Sequence, residues 1–277
     1  MMLKHRLLVT AVLLPIFLII LLYLPSYILA AFISIVCAIS AYELQRAIGA
    51  KEHERLTIYV VLTAIVIPVG AYFDKLEIVL KAVLLVLLCI VFLEAIPVYK
   101  MKRQITFAQI MTTIFGGALI PFMLSSLINL INMKEGRIFV MLPVIVSFST
   151  DAGAYFVGMF MGKRKSFPLI SPNKTVEGHI GGFLIGTIAI VTYGAIIYFS
   201  TLHDVSFPVL IIYGIVGAAV SELGDLVFSL IKREHEVKDF GNLLPGHGGM
   251  LDRVDSMMFA AQTMYLLVTM LPAISIN

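Results

Sequence analysis

The residues best suited to chemistry are carboxylates inside otherwise apolar stretches of the second half of the chain. Asp151, Glu222 and Asp225 each interrupt a run long enough to cross a membrane. Ionisable groups in such runs are costly and usually functional. Glu222 and Asp225 are three residues apart and share one helix face, where two carboxylates repel each other unless a cation lies between them. Asp151 alone could equally be a buried acid that a neighbouring Lys or Ser satisfies.

A second set of acids lies in a glycine-rich polar loop, 232–255. Asp252 and Asp255 are three residues apart there and follow the run His247-Gly248-Gly249. Such carboxylates bind Mg²⁺, which keeps waters and bridges to substrate phosphates, and a glycine-rich turn entering a helix presents N–H groups to anions. The sequence therefore predicts a Mg²⁺ site, with room for a second cation, formed by Glu222, Asp225, Asp252 and Asp255.

Basic and hydroxyl side chains that could neutralise a polyphosphate accompany these acids. They lie in loop 232–255 and in a second loop, 162–178, and comprise Lys232, Arg233, Lys238 and Arg253 in the former and Lys163, Ser171, Lys174 and Thr175 in the latter. Lys and Arg bind phosphate through charge-assisted hydrogen bonds. Two alternatives stay open. One is that Lys163 serves merely to orient the neighbouring span, and the other is that Ser171 or Thr175 caps the following helix.

The composition indicates that a membrane surrounds the elements that carry these residues. Of 277 residues, 60% are hydrophobic and 13% are charged, against about 25% charged in soluble domains. Both cysteines lie in apolar runs and predict no disulfide. The formal net charge of +3 is too small to indicate nucleic-acid binding. The sequence thus predicts an all-α polytopic integral membrane protein.

About nine stretches are apolar and long enough to span a bilayer as helices. They lie near 6–24, 26–44, 56–73, 76–98, 105–131, 138–161, 179–200, 207–231 and 256–275. With a cytosolic N-terminus, all Lys and Arg residues fall on the cytosolic side except Lys75, Lys81, Lys134 and Arg137. The positive-inside rule therefore predicts this orientation and places loops 162–178 and 232–255 in the cytosol.

The distribution of polar residues predicts two functional regions. Residues 1–135, with about five spans, are expected to form a scaffold. Residues 136–277 are expected to form the catalytic region, because they contain the membrane acids and both long loops. We expect the protein to reside in the cytoplasmic (inner) membrane with its active site facing the cytosol.

In its second half the chain resembles the phosphatidate cytidylyltransferase (CDP-diacylglycerol synthase) family. The signature-like residues are Ser229, Lys232-Arg233, Lys238-Asp239, Gly241, Pro245, His247-Gly248-Gly249, Asp252-Arg253 and Asp255. A second similar block begins at Asp151-Ala152-Gly153 and continues through 171–178. The first half is similar to the family only in its hydropathy.

The resemblance implies that CTP and phosphatidic acid react to give CDP-diacylglycerol and pyrophosphate, with Mg²⁺. Because the lipid phosphate is itself the nucleophile, placement and charge neutralisation are enough for direct displacement. The residues expected in the chemistry are Asp225, Lys238, Asp239 and Asp252, and those expected to contact phosphate include His247, Gly248 and Gly249. No nucleic-acid partner is expected, and the oligomeric state stays open, with a homodimer as one option.

Two other classes of protein account for less of the sequence. A cation-coupled transporter would use Asp151, Glu222 and Asp225 as an ion path but would not need the long polar loop 232–255. A non-catalytic scaffold leaves the clustered acids unexplained. Among enzymes, CDP-alcohol phosphotransferases also place acids at a membrane face, but their Asp-Gly and Ala-Arg run is absent here.

Overall fold

The computed structural model describes residues 15–48, 53–101, 103–201, 203–243 and 248–275 and is mostly helical. After a helical stretch at 15–22, the described part of the first half contains five further α-helices and one π-helical turn. They are α1 (Ser26–Ala47), α2 (Glu54–Tyr72), α3 (Leu76–Ala95), α4 (Phe107–Ile114), the π-turn (Phe115–Leu119) and α5 (Ile120–Ile131).

Among its described residues, the second half contains four long helices and two short antiparallel sheets. The elements are α6 (Gly136–Met161), β1 (Lys165–Phe167), β2 (Ser171–Thr175), α7 (Val176–Ser200), β3 (Asp204–Val205), α8 (Phe207–Glu234), α9 (Leu251–Met270) and β4 (Ile274–Ser275). β1 pairs with β2, and β3 pairs with β4. The structure thus adds two small sheets to the predicted helices.

Seven helical segments in the described ranges are long and apolar enough to cross a membrane. They are α1, α2, α3, the continuous stretch Phe107–Ile131, α6, α7 and α8. The predicted span 6–24 lies mostly outside the described residues. The predicted span 256–275 corresponds to α9, which is less apolar because its first turns carry Asp252, Arg253 and Asp255. A helical membrane protein is confirmed, whereas the count of nine and the orientation stay predictions.

The chain divides into two compact units. Unit 1 comprises Met1–Asn132 with Glu234–Val254, and unit 2 comprises Met133–Arg233 with Asp255–Asn277. The first border lies close to the boundary predicted at 135/136. The loop 234–254, however, groups with the first half of the chain, which the division into 1–135 and 136–277 did not predict. The roles of scaffold and catalytic region stay predictions.

Unit 1 is organised by close packing around two adjacent glycines in the π-turn. A Cβ atom at Gly117 would lie 2.6 Å from Oγ1 of Thr63, and one at Gly116 would lie 3.3 Å from side-chain atoms of Leu44 and Val60. No hydrophobic effect drives the association of helices in lipid, so their association depends on close packing, which small residues allow. The π-turn therefore packs closely against α1 and α2.

Unit 2 depends on an equally close contact between α6 and α7. A Cβ atom at Gly181 would lie 2.4 Å from Cβ of Val157, and one at Gly153 would lie 2.8 Å from Cβ of Ile185. The hairpin β1–β2 joins the two helices. Thr175 ends β2 and caps α7, because its hydroxyl accepts the N–H of Gly178 at 3.1 Å. The capping alternative is thus the role seen for Thr175.

Candidate active site

Three carboxylates of unit 2 form one acidic group. Asp151 on α6, Asp225 on α8 and Asp255 on α9 interact electrostatically with one another. The hydroxyl of Ser256 donates to Oδ2 of Asp151 at 3.3 Å, and its backbone N–H donates to Oδ1 of Asp255 at 2.8 Å. Ser147 on α6 shares a 3.0 Å hydrogen bond with the same hydroxyl. The start of α9 is thereby joined to α6 at this group.

Lys174 and Lys232 provide positive charge to the acidic group. Nζ of Lys174 on β2 lies 2.5 Å from Oδ2 of Asp225, and the two side chains are 21% and 30% exposed. Lys232 on α8 is buried and interacts electrostatically with Asp255. Partial burial makes an ion pair more consequential than one on the surface, because solvent screens it less. The hairpin β1–β2 therefore brings the ammonium group of Lys174 to a carboxylate on α8 that lies 51 positions later in the sequence.

Glu222 lies at the edge of this group and has a different principal partner. Its Oε2 atom hydrogen-bonds to Nδ1 of His179 on α7, and Nε2 of His179 shares a 2.8 Å hydrogen bond with Oγ of Ser166 on β1. Its Oε1 atom is buried without a hydrogen-bond partner. Sequence interpretation missed His179 and Ser166, because their link to Glu222 arises only when β1, α7 and α8 pack together.

The predicted residues of unit 1 surround the glycine-rich loop. Oδ2 of Asp252 accepts the N–H groups of Phe240, at 2.9 Å, and Gly249, at 3.0 Å. Gly248 has a left-handed φ of +85°, and a Cβ atom there would lie 3.1 Å from Oδ1 of Asp239. Both the backbone conformation and the close carboxylates favour glycine at this position. Asp252 therefore holds two parts of the loop in place.

Glu43 on α1 is a further acid at this loop that sequence interpretation missed. It is 5% exposed, and its Oε2 atom accepts the N–H of Leu251, the first residue of α9, at 2.9 Å. The signal that could have found it is the one applied to Asp151, an acid within a membrane-spanning run. The sequence nevertheless predicts only a scaffold role for the first half of the chain, in which Glu43 lies.

The remaining predicted contacts are spread over the surfaces of the two units. Backbone N–H of Lys163 donates to Oε2 of Glu177 at 3.0 Å, and Nε of Arg233 donates to the Ile170 carbonyl at 3.1 Å. The side chains exposed to solvent are those of Lys163, Arg233, Lys238, Asp239 and Arg253, whereas Ser171 is half-buried in β2. His247 lies outside the described residues. The structure thus groups Lys174, Lys232, Asp225 and Asp255 in unit 2 and Asp239, Gly248, Gly249 and Asp252 in unit 1.

The donor chemistry of the acidic group is compatible with Mg²⁺ that arrives with a phosphate ligand. Within the described ranges, no three His, Cys, Asp or Glu side chains are gathered as a complete ligand set. Mg²⁺ is usually held by one or two carboxylates, with waters and substrate phosphates completing its octahedron. Asp225 and Asp255 could supply two such carboxylates, and the mutual repulsion of the acids favours an added cation.

We expect His179→Ala to destabilise the protein, because it leaves both oxygens of the buried Glu222 carboxylate without a partner. Breaking a buried pair from one side costs about 3–5 kcal/mol. Thermal unfolding in detergent measures the loss, with Ser166→Ala as the matched control that removes only the outer hydrogen bond. Equal unfolding temperatures for His179→Ala and the wild type would show that the pair contributes nothing to stability.

Comparison with known proteins gives matches over most of the chain. The model of the cytidylyltransferase family matches residues 4–271. The phosphatidate cytidylyltransferase of Bacillus subtilis (strain 168) is 36% identical over 198 residues, which cover 71% of this chain and 69% of that protein.

Staphylococcal proteins of the same name match a shorter part. That of Staphylococcus saprophyticus is 42% identical over 135 residues, covering 49% of this chain and 50% of that protein. That of Staphylococcus aureus (strain COL) is 42% identical over 137 residues, with the same two coverages of 49% and 50%. The chain therefore spans about half the length of these staphylococcal relatives.

The family match and the polar groups concern the same regions of the sequence. The match includes the residues of the acidic group, the hairpin β1–β2 and the glycine-rich loop, all of which lie between 4 and 271. The resemblance found in the sequence motifs is thereby confirmed. The chain belongs to the cytidylyltransferase family and is a nucleotidyltransferase.

Proposed function

We propose that this chain transfers the cytidylyl group of CTP to phosphatidic acid, giving CDP-diacylglycerol and pyrophosphate. The observation that carries the proposal is the family match over residues 4–271. The names of the relatives supply the lipid substrate. The acidic group and its lysines support the proposal, because a reaction between two polyanions needs cations at the meeting point.

Lys174 is the residue that we assign to charge neutralisation. In the free protein its ammonium group is paired with Asp225. A triphosphate or a lipid phosphate offers more negative charge than one carboxylate, so Lys174 can exchange Asp225 for a phosphate oxygen. Lys232 has the same capacity beside Asp255. Lys163, Lys238, Arg233 and Arg253 are proposed to attract the anions from the aqueous side.

We assign Mg²⁺ to Asp225 and Asp255. Bound there, the ion would offset phosphate charge and bind the pyrophosphate leaving group. Glu222 and Asp252 stay in the proposal as predicted ligands with weaker support, because Glu222 is hydrogen-bonded to His179 and Asp252 accepts two backbone N–H groups. If they do not bind the metal, Glu222 holds α7 through His179, and Asp252 holds the glycine-rich loop.

The proposed chemical step is a direct displacement. An oxygen of the lipid phosphate attacks the α-phosphorus of CTP, the bond to the β-phosphate oxygen breaks, and pyrophosphate leaves. Ser166 is the residue that could act as a nucleophile in an alternative, covalent mechanism, because His179 and Glu222 give its hydroxyl a base and an orienting acid. The direct route is favoured because the lipid phosphate is already a nucleophile.

The proposed reaction requires access from both water and lipid. CTP would reach the site from the cytosol, and phosphatidic acid would enter from the bilayer. We therefore propose a cytosolic active site in the cytoplasmic membrane, with nine spans and a cytosolic N-terminus. The concentration of Lys and Arg in loops 162–178 and 232–255 supports this orientation.

Purified protein in mixed micelles with CTP, phosphatidic acid and Mg²⁺ tests the proposal. We expect CDP-diacylglycerol and pyrophosphate to form in equal amounts, and we expect no product when diacylglycerol replaces phosphatidic acid. A folded preparation that makes no CDP-lipid under these conditions would refute the proposed substrate pair. Ion uptake into vesicles without CTP turnover would favour a transporter.

Asp225→Asn and Asp255→Asn are expected to lower turnover at least a hundredfold, because each removes a carboxylate assigned to the metal. Chelation by EDTA should silence the wild type, and added Mg²⁺ should restore it. Glu94→Gln is the matched control, since Glu94 is an acid of unit 1 that Arg55 and Tyr59 bind and that is not assigned to the metal. Near-normal turnover of Asp225→Asn would contradict the metal assignment.

Lys174→Ala is expected to raise the apparent KM for CTP or for the lipid. Loss of a charge-assisted contact costs about 1.5–3 kcal/mol, or about tenfold to a hundredfold in affinity. Steady-state kinetics measures the change, with Lys100→Ala and Arg103→Ala as controls that remove charge elsewhere. If all three substitutions raise KM equally, general surface charge and not a specific contact explains the effect.

Initial rates measured against both substrates are expected to give intersecting lines, as a ternary complex requires. Ser166→Ala should keep this pattern and most of the turnover. Parallel lines, or pyrophosphate release from CTP without lipid, would indicate a covalent cytidylyl-enzyme. If that release also disappears in Ser166→Ala, Ser166 is the nucleophile and the direct mechanism is wrong.

A further inference from the structure

We propose that Glu43 is a positioning residue for cytidylyl transfer, an inference that rests on the proposed function. Glu43 lies on α1, within the region predicted to act only as a scaffold. Its carboxylate holds the glycine-rich loop and the first turn of α9. In this way it fixes the place of Asp252 without itself contacting a substrate.

The contacts of the Glu43 carboxylate lead to the N-terminal end of α9. Its Oε2 atom accepts the N–H of Leu251 at 2.9 Å, and the backbone of Met250 also interacts with it. The first N–H groups of a helix have no partner within the helix, and the helix dipole favours an anion beside them. Glu43 thus caps α9 from a helix that is 208 positions away in the sequence.

Two glycines allow this carboxylate to reach the loop from both sides. A Cβ atom at Gly241 would lie 2.2 Å from Oε1 of Glu43, and a Cβ atom at Gly249 would lie 2.4 Å from Oε2. Real Cβ atoms do not approach oxygen so closely. Any side chain at 241 or 249 would therefore collide with the Glu43 side chain, which is 5% exposed.

Asp252 also binds the backbone of the same loop. Its Oδ2 atom accepts the N–H of Gly249, so two N–H groups that are two residues apart, at 249 and 251, bind Asp252 and Glu43 respectively. The two carboxylates are close enough to repel each other electrostatically. Backbone N–H groups offset that repulsion, as they do for other carboxylates that accept several such bonds. A change at Glu43 is therefore expected to shift the backbone at 249–251 that Asp252 also binds.

Glu43→Gln and Glu43→Asp test the inference, with Glu94→Gln as the matched control. Gln keeps the shape but removes the charge and presents one acceptor in place of two. Asp keeps the charge but withdraws it from Leu251. We expect Glu43→Gln to lower kcat about tenfold or more, with KM for CTP within threefold of wild type, and Glu43→Asp to recover part of that loss.

Hydrogen exchange of the peptide 248–254 gives a readout that does not depend on activity. We expect faster exchange in Glu43→Gln and unchanged exchange in Glu94→Gln, with both variants folded in detergent. Wild-type turnover in Glu43→Gln, or reduced turnover with unchanged exchange, would overturn the positioning role. If the wild type makes no CDP-lipid, the proposed function fails instead, and the exchange result alone decides whether Glu43 holds the loop.

Discussion

A carboxylate inside an apolar helix costs free energy unless a cation or a hydrogen-bond donor faces it, and unit 2 gathers several of them. The ion pair of Lys174 with Asp225 is the contact that most directly meets this cost. It also fixes the hairpin β1–β2, since Lys174 lies on β2 and Asp225 on α8. The same ion pair therefore both holds the hairpin against α8 and offsets the negative charge of Asp225.

The same constraint supports the proposed binding of polyanions at the acidic group. A cation that neutralises an acid in the free protein can neutralise a phosphate when the acid takes a metal ion. Unit 1 meets the cost of its acids differently, because Glu43 and Asp252 accept backbone N–H groups of the glycine-rich loop. Exchangeable partners suit residues that contact substrates, and backbone partners suit residues that hold a loop.

The sequence revealed the acids of unit 2 and the family, but not the partners of the acids. Asp151 and Asp225 could be predicted because an acid stands out in an apolar run, and the motif from Ser229 to Asp255 indicated the family. The bond between His179 and Glu222 spans 43 positions and depends on how α7 packs against α8. No local sequence pattern predicts a contact between residues so far apart in the chain.

Glu43 and the hairpin were missed for two further physical reasons. Glu43 acts on residues 208 positions later, so its role appears only when loop 234–254 packs with the first half. The strands β1 and β2 are three and five residues long and contain little alternation of polar and apolar side chains. A strand without that period gives no signal in a sequence.

A double-mutant cycle on Lys174→Met and Asp225→Asn tests the charge balance most directly. Lys174→Met leaves the Asp225 carboxylate without its ion-pair partner, and Asp225→Asn removes the carboxylate that pairs with Lys174. The account therefore predicts two destabilised proteins and a double variant that loses less stability than the sum of the two single losses. The coupling should be about 1–3 kcal/mol, and the double variant should bind CTP weakly and show no turnover. Additive losses of stability, or an active double variant, would contradict the account.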